Sequence, residues 1–170
     1  MQTPRVTAYD AERWVDLAEG TAGASAALAG LLFVAVSLNL QAILEGPRLA
    51  NRAAQALVLL VFPVFTGLAL LVPDQSPVAL GTELVLLAVV LGVLLNALAR
   101  PDRRPPDQPR AAWFATGVVP ALVVPVGTLL AGVGVLTEAL GGLYWLPVVI
   151  AVGLFSGLVN TWVLLVEILR

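Results

Sequence analysis

The chain alternates long apolar runs with short polar links. Apolar sequence dominates 22–44, 53–72, 78–99, 111–136 and 143–169, and the links are 45–52, 73–77, 100–110 and 137–142. A hydrocarbon core about 30 Å thick takes roughly 20 helical residues, so each run predicts one crossing, the last two with tilt. None of the runs shows the alternation that marks barrel strands. Lipid offers the backbone no hydrogen-bond partner, so helices are the form these runs must take. The expected fold is all-α, a polytopic membrane bundle of five transmembrane helices in residues 22–170, preceded by an N-terminal segment, 1–21.

Within 1–21, Thr7 and Asp10 stand at the spacing of a capping box, and Ala11, Trp14, Val15 and Ala18 recur on one helical face. The pattern predicts a short amphipathic helix. It would lie flat at the interface with Trp14 among the headgroups, or serve as a plug or docking element, with Gly20 and Gly23 forming the bend into the first crossing. The basic start and short apolar core of a signal peptide are not present.

Composition agrees with a membrane assignment: 59% hydrophobic and 12% charged residues, with a mean hydropathy of +0.96, lie outside soluble usage. Cysteine and histidine are absent, which excludes disulfides, thiolate nucleophiles and the usual zinc and haem ligands; no cofactor is expected. The positive charge is nine arginines with no lysine, and Ala, Gly, Val, Leu and Pro are heavily used. That usage fits a high-GC bacterial genome.

The arginines set the expected orientation. Arg48, Arg52, Arg100, Arg103, Arg104, Arg110 and Arg170 fall on one side of a five-crossing chain, while links 73–77 and 137–142 hold no positive charge. The positive-inside rule then puts the C-terminus in the cytoplasm and the N-terminus outside, in a bacterial plasma membrane. Seven arginines against four carboxylates make the inner side basic. Two arginines against seven carboxylates make the outer side acidic, for a net charge of −2. Tyr144 and Trp145 at one interface and Trp113 at the other agree with this placement. Link 100–110, with four prolines in eleven residues, reads as an extended strap. Its Arg100, Arg103, Arg104 and Arg110 are expected to meet anionic lipid headgroups. It carries no interleaved aromatics, which argues against a nucleic-acid partner.

Candidate chemistry is sparse. Pro63, Pro120 and Pro125 interrupt helices and free backbone carbonyls, for packing or for a gating role. Small-residue stripes mark close helix packing at Gly153 and Gly157, at Ala88 and Gly92, and at Ala22, Ala26 and Gly30, either within a bundle or between subunits. Asn39, Asn96 and Asn160 lie on the three helices that run from outside to inside. At about 1.5 Å per residue all three sit roughly 26 Å below the outer face. With Ser37 and Ser156 nearby they predict a polar belt, serving as interhelical hydrogen bonding or as a pore or ligand lining. Glu83 is the one carboxylate clearly inside the outer boundary. It reads as a snorkelling side chain or, with Thr128 and Thr82 as partners, as an ion or proton site. No nucleophile and base pair, Walker motif, dinucleotide fingerprint or metal spacing is present, so no enzyme activity is expected.

At GASAALAGLLFVAVSLNLQAIL and at NTWVLLVEILR the chain resembles small multi-pass membrane proteins of high-GC bacteria, some of them labelled modulators of the membrane protease FtsH. The resemblance implies a modulatory, non-catalytic role. The expected function is association through helices, with itself or with a membrane partner. The alternative is a small homo-oligomeric channel built on the asparagine belt and Glu83.

Overall fold

A computed structural model describes residues 7–45, 47–99 and 113–168. Among these there are helices and turns and no strands. Two 3-10 turns, Thr7–Tyr9 and Ala11–Trp14, lead into α1 (Val15–Leu38), followed by the short α2 (Leu40–Glu45), α3 (Pro47–Leu70) and α4 (Pro77–Leu98). A π-helical turn, Phe114–Val118, opens the next span and continues as α5 (Val119–Thr137); a 3-10 turn, Gly142–Tyr144, precedes α6 (Trp145–Ile168). Five of these segments are long and apolar enough to cross a membrane. The chain is an all-helical, multi-pass membrane protein. Below, the end of the bundle at Asp74 and Glu138 is called the acidic end, and the opposite end, at Arg52 and Leu98, the basic end.

The helices pack as a closed ring of four with one helix appended. The most extensive packing is between α4 and α5, and α3 meets α4 and α6, while α6 meets α5. The ring closes around Leu59, Phe62, Leu84, Leu95, Val124 and Leu146, all essentially inaccessible. α1 lies outside the ring against α3, through Ala29 and Leu32 on Ala56 and Leu60.

Local rules explain the boundaries. Ser76 caps α4, its Oγ accepting from Ala79 N at 3.2 Å, and Pro77 fills the first helical position where no N–H is needed. α5 ends at Glu138 in the left-handed conformation, with Leu140 (φ +59°) and Gly141 (φ +84°) completing a turn so tight that a Cβ on Gly134 would lie 2.7 Å from Gly142 N.

The N-terminal segment differs from the expected flat amphipathic helix. Trp14 is 8% exposed, packed into the bundle rather than standing free of it. Its Nε1 donates to Thr7 O at 2.8 Å, and its ring meets Tyr144 edge-on at 5.2 Å. The two turns therefore fold over the acidic end and pack on the turn before α6. α1 runs unbroken through Gly20 and Gly23, so neither forms a bend.

The close approaches are made by glycines, and more of them than the stripes predicted. A Cβ on Gly157 would lie 2.8 Å from Leu60, and one on Gly153 would strike the Phe62 ring, so this GxxxG pair joins α6 to α3 within one chain. Ala22 serves Gly67 of α3 in the same way, at 2.8 Å. Gly30, in contrast, meets nothing within 4 Å and packs no helix of its own chain. One close approach the spacing did not mark joins the backbones of α4 and α5: a Cβ on Gly132 would lie 2.9 Å from Gly81 O and from Val85 N. Leucine at Gly132 should lower stability in thermal unfolding by about 1–3 kcal/mol or more, the usual cost of overpacking. Leucine at Gly30 should leave the same transition within about 0.5 kcal/mol.

Candidate functional site: side-chain amides on the backbone of α5

Helix α5 carries two prolines, and each removes a donor from the ladder. Pro120 would otherwise donate to Thr116 O and Pro125 to Ala121 O, four residues back, and the ring at 120 also crowds the carbonyl at 116. The helix responds by widening to a π turn over Phe114–Val118, where Val119 N bonds Phe114 O, five residues back. Returning from that spacing to the α-helical one leaves one more carbonyl without a donor. In lipid an unpaired backbone carbonyl is costly.

Neighbouring helices supply the missing donors. Asn160 of α6, 2% exposed, donates its Nδ2 to Thr116 O at 3.1 Å. Gln55 of α3, 6% exposed, donates its Nε2 to Gly117 O at 3.2 Å. Asn96 of α4 splits its Nδ2 between Gly92 O of its own helix at 2.8 Å and Ala121 O at 3.4 Å. One turn from Gln55, Asn51 donates to Leu98 O at 2.7 Å, joining α3 to the end of α4. At the same end Arg52 approaches Glu167 at 3.7 Å, tying α3 to α6. The interior amides of α3, α4 and α6 are thus spent on backbone carbonyls in the basic half.

The three asparagines do not form a belt of mutual contacts. Asn39 ends α1, with its Nδ2 on Ala35 O at 2.8 Å and its own N–H on Val36 O. Ser37 is exposed and bonds Phe33 O of its own turn at 2.8 Å. Ser156 is buried, at 8%. Asn96 and Asn160 share a target helix but bond different turns of it, each amide donating to a backbone carbonyl rather than to another amide. Gln55 and Asn51, which do take part, were legible only as two amides one turn apart entering an apolar run.

Glu83 and Thr128 are not brought into one site. Glu83 is exposed on α4, while Thr128 is fully buried with Oγ1 donating to Val124 O at 2.7 Å. Thr82 likewise bonds Val78 O at 2.7 Å. At the acidic end a cleft of about 460 Å³ is lined by Asp10, Glu12, Glu19 and Asp74, with Arg13 on Asp10 at 3.3 Å. Among the described residues no group of three or more acidic side chains is arranged to hold a metal ion. Arg100, Arg103, Arg104 and Arg110 lie outside the described residues.

If Asn160 supplies at Thr116 O the N–H that Pro120 lacks, the two positions must be coupled. Asn160→Leu should cost about 1–2 kcal/mol in reversible unfolding. In a Pro120→Ala background, which restores an N–H, the same change should cost clearly less, and a double-mutant cycle measures the difference. Additive costs would separate the two residues.

Comparison of the chain with protein-family models, with curated proteins and with solved structures returns no match.

Proposed function

We propose that this protein is a non-catalytic membrane protein that works by helix association, using the outer face of α1 to bind a second copy or the transmembrane helix of a partner. The observation that carries this reading is the unequal use of α1. In its most apolar stretch 11% of residues are buried within the chain, against 56% in the spans containing α3 and α5. Gly20, Gly23 and Gly30 on α1 meet nothing within 4 Å, whereas Gly81, Gly132, Gly153 and Gly157 are all in close contact. Small residues exposed on a membrane helix let another backbone approach closely, and packing of that kind drives association where lipid removes the hydrophobic difference. The resemblance of the α1 and α6 sequences to labelled protease modulators supports a regulatory partner of this kind, and the arginine distribution supports a cytoplasmic basic end. A conduction pathway through one chain has less support, since the interior amides are committed to backbone carbonyls.

Association is tested by single-molecule photobleaching of the labelled protein in liposomes, with co-purification from native membranes for a partner. Gly23→Leu with Gly30→Leu should reduce the associated fraction at least about tenfold, as a loss of roughly 1.4 kcal/mol would do, while thermal unfolding stays unchanged. A wild-type protein that is monomeric and captures no partner, or association untouched by both substitutions, would refute the reading. Orientation is tested separately, because the chain has no cysteine of its own. A cysteine at Asp74 should react with an impermeant thiol reagent in intact cells, and one at Glu45 only after permeabilisation.

A further inference from the structure

α4 and α5 run antiparallel in one register: Gly81 faces Leu136, Val85 faces Gly132, and Gly92 faces Pro125. Their spacing is not constant along that register. At the acidic half the backbones touch, with 2.9 Å from a Cβ on Gly132 to Gly81 O, but at the basic half a Cβ on Gly92 would still clear Pro125 by 3.7 Å. α5 carries its prolines in that half. Between them a groove of about 190 Å³ opens on the bilayer side, floored by Ala88, Gly92 and Pro125 and ending at Asn96. From Ala88 to Asn96 it is about 12 Å long at 1.5 Å per residue, close to the depth of one leaflet of a core about 30 Å thick.

Asn96 gives the groove a chemical preference. Both acceptors facing its amide are carbonyls, Gly92 O and Ala121 O, so Nδ2 is fixed toward them and Oδ1 is the valence left over. The residue is exposed, and among the described residues nothing donates to that oxygen. A suitable ligand has one apolar chain for the groove and a hydrogen-bond donor where the chain begins. Diacyl phospholipids offer only acceptors at that depth, because both glycerol oxygens beside the chains are esterified. A lipid with one acyl chain keeps a free glycerol hydroxyl there. The excess of arginine over carboxylate at this end of the sequence further favours a lipid that carries a phosphate.

We propose that the groove between α4 and α5 binds a lysophospholipid, its acyl chain lying against Gly92 and Pro125 and its glycerol hydroxyl donating to Asn96 Oδ1. The site is separate from the α1 face and stands or falls independently of it.

The test is native mass spectrometry of the full-length protein in maltoside micelles with one of three probes of equal chain length. These are 1-oleoyl-lysophosphatidylcholine, its 2-O-methyl ether, which lacks the hydroxyl donor, and monooleoylglycerol, which lacks the phosphate. One lysophosphatidylcholine per chain should be retained, with occupancy roughly three- to tenfold above that of the methyl ether, the range one hydrogen bond provides. Monooleoylglycerol should be retained less than lysophosphatidylcholine. Asn96→Leu should erase the preference over the ether, and Gly92→Leu should abolish retention by filling the floor. Val89→Trp, placed on the exposed wall of the groove and outside the packed core, should also lower retention and guards against misfolding of the Gly92 variant. Equal retention of the hydroxyl and ether forms, retention of monooleoylglycerol as strong as that of the phospholipid, or retention unchanged in a folded Val89→Trp protein would overturn the proposal.

Discussion

Every backbone carbonyl inside a bilayer needs a donor, and the architecture of this bundle follows from how α5 meets that need. Two prolines remove N–H groups from one helix, and the π turn before Pro120 adds a register shift that leaves a further carbonyl short of a partner. The remedy comes from outside the helix: α6 sends Asn160, α3 sends Gln55 and α4 sends Asn96. Each bond is individually modest in a membrane, about 0.6 kcal/mol on average. Leaving the carbonyls unpaired is the larger penalty, and it ties three neighbours to a single turn or two of α5. The other three helices of the ring are tied to that span at its basic half by polar repair, and α4 meets it at its acidic half by glycine contact.

The same separation of halves governs the surfaces. Where Gly81 and Gly132 let α4 and α5 touch, no space is left; where the prolines stand, the pair opens into a groove. α1, held to α3 by Ala29 and Leu32 and by Ala22 against Gly67, turns its remaining glycines outward. Intrachain packing has thus consumed the glycines of α6 and left those of α1 open. That asymmetry distinguishes a structural stripe from one available to a partner, which spacing alone does not.

Much of the fold was legible in the sequence, because run length and hydropathy carry the number and approximate limits of the spans. The boundaries missed are those where a polar or special residue acts within the run: α1 begins at Val15, well before its apolar stretch, and breaks at Asn39 instead of continuing to Leu44. The N-terminal segment is two 3-10 turns and not one amphipathic helix, because Trp14 packs inward, its indole N–H on Thr7 O and its ring on Tyr144. The polar belt was read from matched depth, which is a one-dimensional measure; the direction each amide faces depends on helix rotation and on which carbonyl lacks a donor. The prolines that create those vacancies were visible, and so were the amides. Their pairing across helices, Pro120 with Asn160 and Pro125 with Asn96, requires the antiparallel register that only the packed structure supplies.

The repair of α5 can be observed directly at the carbonyl itself. A single ¹³C=¹⁸O label at Thr116 isolates one amide I band of the protein in liposomes, and its frequency reports hydrogen bonding to that oxygen. The band should lie at a hydrogen-bonded frequency in the wild type and move upward in Asn160→Leu, while a label at Val133, bonded within the regular ladder and to Thr137, stays where it is. A Thr116 band that is unchanged by loss of Asn160 would contradict the account.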